Sequence, residues 1–289
     1  MSIRLCAFAD EAAASLDGQV DALKKNGIGL IELRGVNGVN VACIPEQDAA
    51  DIAVRLKKEG IGVWSIGSPV GKSAIADDFS IELKRFEHIL KLAKIFDCQR
   101  IRIFSFLTTE YGKYRDEVFF RLDRMCRIAA EAGVMLCHEN EKEIYGDSVG
   151  RICDILDAVP ALKSILDPAN YLQCGQCMDD VISRLLGRTE YFHVKDYAVT
   201  SGEHVPAGLG DGCFERIISC ISKDAVLTLE PHLSSFDGFK DIDNTTLTHR
   251  IKFDSQATAF SAAANALKDI LVRCGYSEQN GRWEKGAAI

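Results

Sequence analysis

Val134-Met135-Leu136-Cys137-His138-Glu139-Asn140 is a short apolar run that ends on a carboxylate, and the chain repeats this design three more times. The repeats are Ser164-Ile165-Leu166-Asp167-Pro168, Tyr191-Phe192-His193-Val194-Lys195-Asp196 and Ala225-Val226-Leu227-Thr228-Leu229-Glu230-Pro231. Each run reads as a buried strand. A charged group at the end of such a strand is costly to bury unless it is paired or bound to a metal. Four consecutive strands would deliver Glu139, Asp167, His193 and Glu230 to one place, a set able to hold one divalent ion. Taken singly, each residue has a plainer reading. Asp167 can cap a following helix, and His193 can be a satisfied core histidine. Repetition over four neighbouring strands is what favours a shared site.

Working outward, four further strand-like runs precede these: Ile3–Ala9, Leu30–Arg34, Gly62–Ser68 and Arg100–Phe106. Helix-like segments fall between the strands near Leu16–Asn26, Pro45–Glu59, Ser80–Phe96, Tyr114–Ala132, Ser148–Ala158, Met178–Leu186 and Cys213–Ser222, with a last one near Gln256–Cys274. Gly27, Gly60 and Gly133 look like helix stop signals. Alternating strands and helices imply parallel pairing through right-handed crossovers. The repeat of roughly 30 residues fits an α/β fold of the single-domain (β/α)8 barrel type, normally ~250 residues long. A doubly wound open sheet is the alternative, but it favours a Gly-rich turn after the first strand. Phe8-Ala9-Asp10-Glu11 stands there without a glycine. The barrel is expected over residues 1–276, with a tail lacking periodicity over 277–289 and a long polar loop over Ser234–Asp254.

Composition narrows the function classes. The chain has 289 residues, 47% of them hydrophobic, enough for a large core, and a formal charge of -8 without a Lys/Arg-rich block. A nucleic-acid partner is therefore not expected. Acidic residues arrive too early for a signal peptide, and no apolar stretch is long enough to span a bilayer. Eleven scattered cysteines then suggest reduced thiols in a cytoplasmic protein rather than a disulfide framework.

In a barrel the C-terminal strand ends carry the active site. Side chains alternate along a strand, so His193 and Lys195 share one side, as do Glu32 and Arg34. Three carboxylates and one imidazole suit Mn²⁺ or Mg²⁺, whereas Zn²⁺ favours nitrogen and sulfur. One Mn²⁺ is the expected ion, with Mg²⁺, Co²⁺ and Zn²⁺ as alternatives. Lys195 is a candidate catalytic residue, as a donor to a substrate oxygen, or else an ion-pair partner of Asp196 or a pocket acid. Arg34 could grip a substrate carboxylate or phosphate, or pair with Glu32 or another pocket acid. His138 alternates away from Glu139 and is expected to pack behind its strand, while His232 could reach substrate from beyond Glu230. Gly208-Leu209-Gly210-Asp211-Gly212 and Ser68-Pro69-Val70-Gly71-Lys72 read more readily as shaped loops than as phosphate sites, and Cys174-Gly175-Gln176-Cys177 as loop thiols.

His138-Glu139-Asn140, Leu166-Asp167-Pro168-Ala169-Asn170, Phe192-His193-Val194-Lys195-Asp196 and Leu229-Glu230-Pro231 together resemble the xylose isomerase-like TIM-barrel superfamily, in its sugar phosphate isomerase/epimerase branch. The resemblance runs from Ile3 to about Cys274. It implies one divalent ion held by Glu139, Asp167, His193 and Glu230, with Glu139 and Glu230 also moving the proton. It implies a small sugar or sugar phosphate as partner, and a homodimer or homotetramer. A metal acting as a Lewis acid would stabilise an enediolate formed by proton removal next to a carbonyl. The same ligands permit epimerisation, isomerisation or dehydration of a cyclic polyol or keto acid, as in an inosose dehydratase. Ketose 3-epimerases of this superfamily usually carry a histidine three residues beyond the aspartate. Asn170 stands there, a substrate-contact candidate that would read the sugar differently. An abasic-site endonuclease would want more histidines than the six present, and a sugar-binding relic would want a defective ligand.

Overall fold

Burial on both faces explains why the eight apolar runs pair in parallel rather than as hairpins. The computed structural model describes residues 1–235 and 251–286. Its barrel strands are β1 Ser2–Ala7, β2 Leu30–Leu33, β3 Gly62–Ile66, β4 Arg100–Ile103, β5 Met135–Glu139, β6 Lys163–Leu166, β7 Thr189–Val194 and β8 Ala225–Leu229. Each pairs in parallel with the next. The ring closes where Ile3 of β1 lies opposite Ala225 of β8, and Ala7 opposite Leu229. The expected (β/α)8 barrel is the observed fold.

The outer ring comprises α1 Leu16–Lys25, α2 Glu46–Lys58, α3 Phe79–Ile95, α4 Tyr111–Glu131, α5 Val149–Ala158, α6 Pro168–Gln173, α7 Met178–Leu185, α8 Phe214–Cys220 and α9 Gln256–Arg273. Local chemistry starts several of them. Ser15, Asp78 and Ser148 accept backbone N–H groups of the first turns of α1, α3 and α5, and Ser255 forms a capping box with Thr258 on α9. Outward strand residues such as Ile31, Ile101, Ile103 and Phe192 pack with helix residues such as Leu23, Phe86, Leu122 and Ile155. Alternate residues point inward and form a smaller core of Cys6, Cys137, Ile165, Tyr191 and Val226. That inner plug leaves a polar mouth at each end of the barrel.

Several boundaries differ from expectation. Strand β1 stops at Ala7 because Ala9–Glu11 turns into a 3-10 helix. Helix α6 was not expected; it exists because Asp167 caps it and Pro168 occupies its first position. Part of the segment expected as a tail is regular. Tyr276–Gln279 and Arg282–Lys285 form a hairpin whose second strand pairs antiparallel with β1, placing Trp283 opposite Ile3. Its indole is buried, which anchors the segment. Most of the expected loop Ser234–Asp254 lies outside the described residues. No helix among the described residues is long and apolar enough to cross a membrane, and the eleven cysteines are all free.

The glycine-rich loop after β7 is a structural wrap. The Asp196 carboxylate accepts the backbone N–H groups of Tyr197, Gly208, Gly210 and Gly212 at 2.8, 2.8, 3.1 and 2.9 Å. A Cβ at Gly210 or Gly212 would overlap that carboxylate. The turn at Ser68–Lys72 is likewise shaped by Gly71, which has φ +85° and donates its N–H to Glu82 Oε1 at 2.8 Å.

Two stability predictions follow from this packing. Trp283→Ala should cost about 3–5 kcal/mol in urea denaturation, the usual range for emptying a buried aromatic site; a cost near zero would mean the hairpin is dispensable. His138 faces outward behind β5, buried, with neither ring nitrogen hydrogen-bonded. Burial depresses it to about 3, so the folded state refuses a proton that the unfolded chain takes below its ordinary value of about 6.5. Stability is therefore complete above that value and falls as pH drops toward 3. Between pH 7 and pH 5 the metal-free protein should lose about 2 kcal/mol more than His138→Leu. Equal losses in the two proteins would show that His138 is not held neutral.

Candidate metal centre

Glu139 ends β5, Asp167 follows β6, His193 lies on β7 and Glu230 follows β8. Strand alternation turns all four side chains into the C-terminal mouth. One ligand atom from each lies within 4.8 Å of the others, and all four residues are buried. His193 Nδ1 is 2.8 Å from Glu139 Oε1, 3.1 Å from Glu230 Oε2 and 3.9 Å from Asp167 Oδ2.

Asp167 fulfils both readings of its sequence position. Its Oδ1 accepts the Asn170 N–H at 3.1 Å and so caps α6. Its Oδ2 faces the cluster, 2.9 Å from Lys195 Nζ. Neither Asp167 Oδ2 nor Glu230 Oε2 accepts a well-directed hydrogen bond, although both are buried. Buried carboxylate oxygens short of well-directed donors, grouped around an imidazole nitrogen, fit a cation.

The surrounding residues fix these side chains. Arg102 Nη1 lies 3.1 Å from Glu139 Oε2. Arg34 Nη1 donates to Glu230 Oε1 at 2.8 Å, while its other nitrogens reach Asp10 at 2.9 and 3.0 Å and Glu11 at 3.2 Å. Glu32 faces the other side of His193, with Oε2 3.2 Å from Nε2. Tyr191 donates its hydroxyl to Glu32 Oε1 at 2.8 Å. With Glu32 able to accept from Nε2–H, Nδ1 is the nitrogen that would turn its lone pair to a bound ion, the usual arrangement of a metal-binding histidine.

Charge balance explains the protonation pattern. Among the described residues, Asp10, Glu11, Glu32, Glu139, Asp167 and Glu230 face three permanent cations, Arg34, Arg102 and Lys195. Burial raises Glu11 to about 8, with Glu230 and Asp10 reinforcing it against Arg34. Burial likewise lifts Asp167 to about 7 against the pull of Lys195. Burial opposes a charge on His193, yet Glu139 and Glu32 hold it well above its ordinary value. Burial would raise Glu139 too, but His193 and Arg102 bring it down to about 2.

The substrate-contact candidates are all beside the cluster, in more committed roles than expected. Arg34 pairs with Asp10, Glu11 and Glu230, not with Glu32. Lys195 pairs with Asp167 and lies 3.6 Å from Glu230 Oε2, leaving Asp196 to the glycine loop. Asn170 donates to Asn140 O at 2.8 Å and approaches Glu139 Oε1 at 3.4 Å. His232 has φ +47°; its backbone N–H donates to Glu11 Oε2 at 2.8 Å, and its Nε2 is 3.5 Å from both Glu11 and Glu230. Glu11 and Arg102 were not singled out from sequence. Arg102 was accessible to the same alternation argument that paired Glu32 with Arg34, whereas Glu11 leaves the strand period through its 3-10 turn.

Comparison with known proteins agrees with this architecture. Among solved structures, the zinc-bound IOLI protein superposes with a TM-score of 0.73 at 14% identity, covering 93% of this chain and 98% of that one. The probable 3-DHS dehydratase AsbF from Bacillus anthracis gives 0.70 at 18% identity, covering 93% and 99%. L-ribulose 3-epimerase gives 0.69 at 18% identity, covering 94% and 96%. No curated protein matches by sequence. The sequence pattern of the xylose isomerase-like TIM barrel family matches residues 20–245. The chain belongs to the xylose isomerase-like TIM barrel family.

Proposed function

We infer that the protein is a divalent-metal-dependent sugar or sugar-phosphate isomerase or epimerase that moves a proton next to a carbonyl. The observation carrying this reading is the pair Glu139 and Glu230. They rise from β5 and β8, three strands apart on the ring, and both turn an oxygen to His193 Nδ1. Glu139, Asp167, His193 and Glu230 would hold the ion, and the oxygen-rich set favours Mn²⁺. When bound, the ion would supply Lewis acidity toward a substrate carbonyl.

The chain's own residues then have distinct tasks. Arg102 and Arg34 grip one oxygen of Glu139 and Glu230 respectively, so each carboxylate keeps a fixed direction. One of these glutamates removes the proton beside the carbonyl and the other returns one. Return to the same carbon epimerises; return to its neighbour isomerises. Lys195 is a cationic donor to a substrate oxygen. Arg34, Asn170 and His232 border the space where substrate would lie.

A dehydratase of a cyclic polyol or keto acid is the second reading. It is favoured by Lys195 standing 3.6 Å from Glu230 Oε2, where it could protonate a departing hydroxyl as the carboxylate takes the proton. Eleven free cysteines accord with a reducing, cytoplasmic setting. A homodimer or homotetramer acting on a small sugar substrate completes the proposal.

The Mn²⁺-loaded protein should be incubated in D₂O with ketoses, ketose phosphates and inososes. Deuterium beside the carbonyl of a new sugar isomer supports the first reading; loss of water with an absorbing enone supports the second. Glu139→Gln and Glu230→Gln should each slow turnover by about 10²–10⁴-fold, and full turnover in both would overturn the proton-transfer assignment. Glu32→Gln should weaken Mn²⁺ binding by calorimetry about 10–100-fold. Unchanged affinity would remove Glu32 from orienting His193.

A further inference from the structure

The opposite mouth of the barrel holds a second polar cavity, of about 340 Å³. It lies where the strands begin, with the inner plug of Cys6, Cys137, Ile165, Tyr191 and Val226 between it and the carboxylate cluster. Among the described residues, Arg4, Arg100, Lys223 and Arg282 line it, against two acids, Glu190 and Asp224. On a chain of formal charge -8 this is a local excess of positive charge.

The two acids have prior partners. Arg100 holds Glu190 through Nε and Nη2 at 3.0 and 2.8 Å. Asp224 Oδ1 accepts the Ser2 N–H at 2.7 Å. Lys223 donates to Thr189 O at 3.0 Å, which leaves its charge uncompensated. Arg4 and Arg282 have no carboxylate within ion-pair distance among the described residues. Burial disfavours the charge on Arg4, and Arg282 and Arg100 oppose it further, against smaller support from Cys6 and Asp224. Trp64 forms a wall against Arg4 and Arg100, whose guanidinium carbons lie 5.1 and 3.8 Å from its ring centroid. The Trp64 indole N–H is buried without a hydrogen-bond partner.

We propose that this mouth binds a small phosphate-type oxyanion, held between the Arg4 and Arg282 guanidinium groups with Lys223 supplying a third positive charge. Guanidinium forks match the oxygens of phosphate in pairs, and each such charge-assisted bond is stronger than a neutral one. The cavity is large enough for inorganic phosphate or for the phosphate end of a phosphomonoester. Arg282 belongs to the C-terminal hairpin and Arg4 to β1. The anion would bridge the two and tie the hairpin to the barrel, without entering the carboxylate cluster.

The protein carries its own reporter, because its two tryptophans, Trp64 and Trp283, are a wall of the cavity and the neighbour of Arg282. Titration of the intact protein with inorganic phosphate should change tryptophan fluorescence saturably, with Kd at or below about 1 mM, and should raise the thermal midpoint. Arg282 is exposed, so Arg282→Gln should fold normally yet bind about tenfold more weakly or worse. Arg4→Gln should do the same. A parallel titration with phenyl phosphate separates the sources: tighter binding than inorganic phosphate assigns a phosphomonoester, and equal binding assigns free phosphate. The proposal is overturned if fluorescence fails to saturate by about 10 mM phosphate, or if both variants bind as tightly as the unaltered protein.

Discussion

Too much negative charge is buried at one end of this barrel, and the upper half of the molecule is organised around that excess. Among the described residues, six carboxylates meet three permanent cations there. An isolated buried carboxylate is so unfavourable that it takes a proton or recruits a cation. Both responses are present: Glu11 and Asp167 are lifted toward neutrality, and His193 is driven toward its charged form. Removing any one of the three cations would leave its partners uncompensated, which is more damaging than losing the pair together. The arginines are therefore structural necessities before they are anything else. A divalent cation at the cluster would satisfy the same deficit without needing those protonations.

The barrel makes such a concentration tolerable by stacking layers. Moving along the inward positions of β1, the chain passes Arg4, Cys6 and then Phe8; along β7 it passes Tyr191, His193 and then Lys195. Polar side chains are confined to the mouths and the apolar plug fills the waist. Phe8 adds an aromatic floor to the cluster, with its ring 5.2 Å from that of His193 and 4.3 Å from the Arg34 guanidinium. Hydrogen bonds crossing from strand to strand, such as Tyr191 to Glu32, fix side chains far apart in sequence to within a few ångströms.

Much of this was legible beforehand, for a specific reason. An acid or histidine at the end of an apolar run is conspicuous because it violates the local burial pattern, and Glu139, Asp167, His193 and Glu230 each do so. The barrel followed from counting alternating elements, and the outward turn of His138 from strand period alone. What stayed hidden lacks a local signature. Glu11 lies on a 3-10 turn beyond the strand, so no periodicity announces it. Glu32 and Arg34 were seen as neighbours on one side of β2, but their actual partners are contributed by β7, the turn after β1 and the end of β8. Trp283 read as part of a tail because the strand its segment joins, β1, is remote in sequence. The Asp196 wrap reverses the usual reading of a glycine-rich loop: its glycines bring backbone donors onto a side chain of the same protein.

Ring closure has a kinetic side. Strand β1 is made first, yet its partner across the seam, Ala225–Leu229, is more than two hundred residues away. Until β8 emerges, that edge of β1 has exposed backbone donors and acceptors, the arrangement that invites association with other chains. Contacts of such long sequence separation are costly to close and slow to form. During synthesis the open, seven-stranded barrel still carries that edge just before the segment bearing Glu230 arrives. The step that completes the carboxylate cluster is the same one that removes the open edge, so acquisition of the site and escape from aggregation are one event.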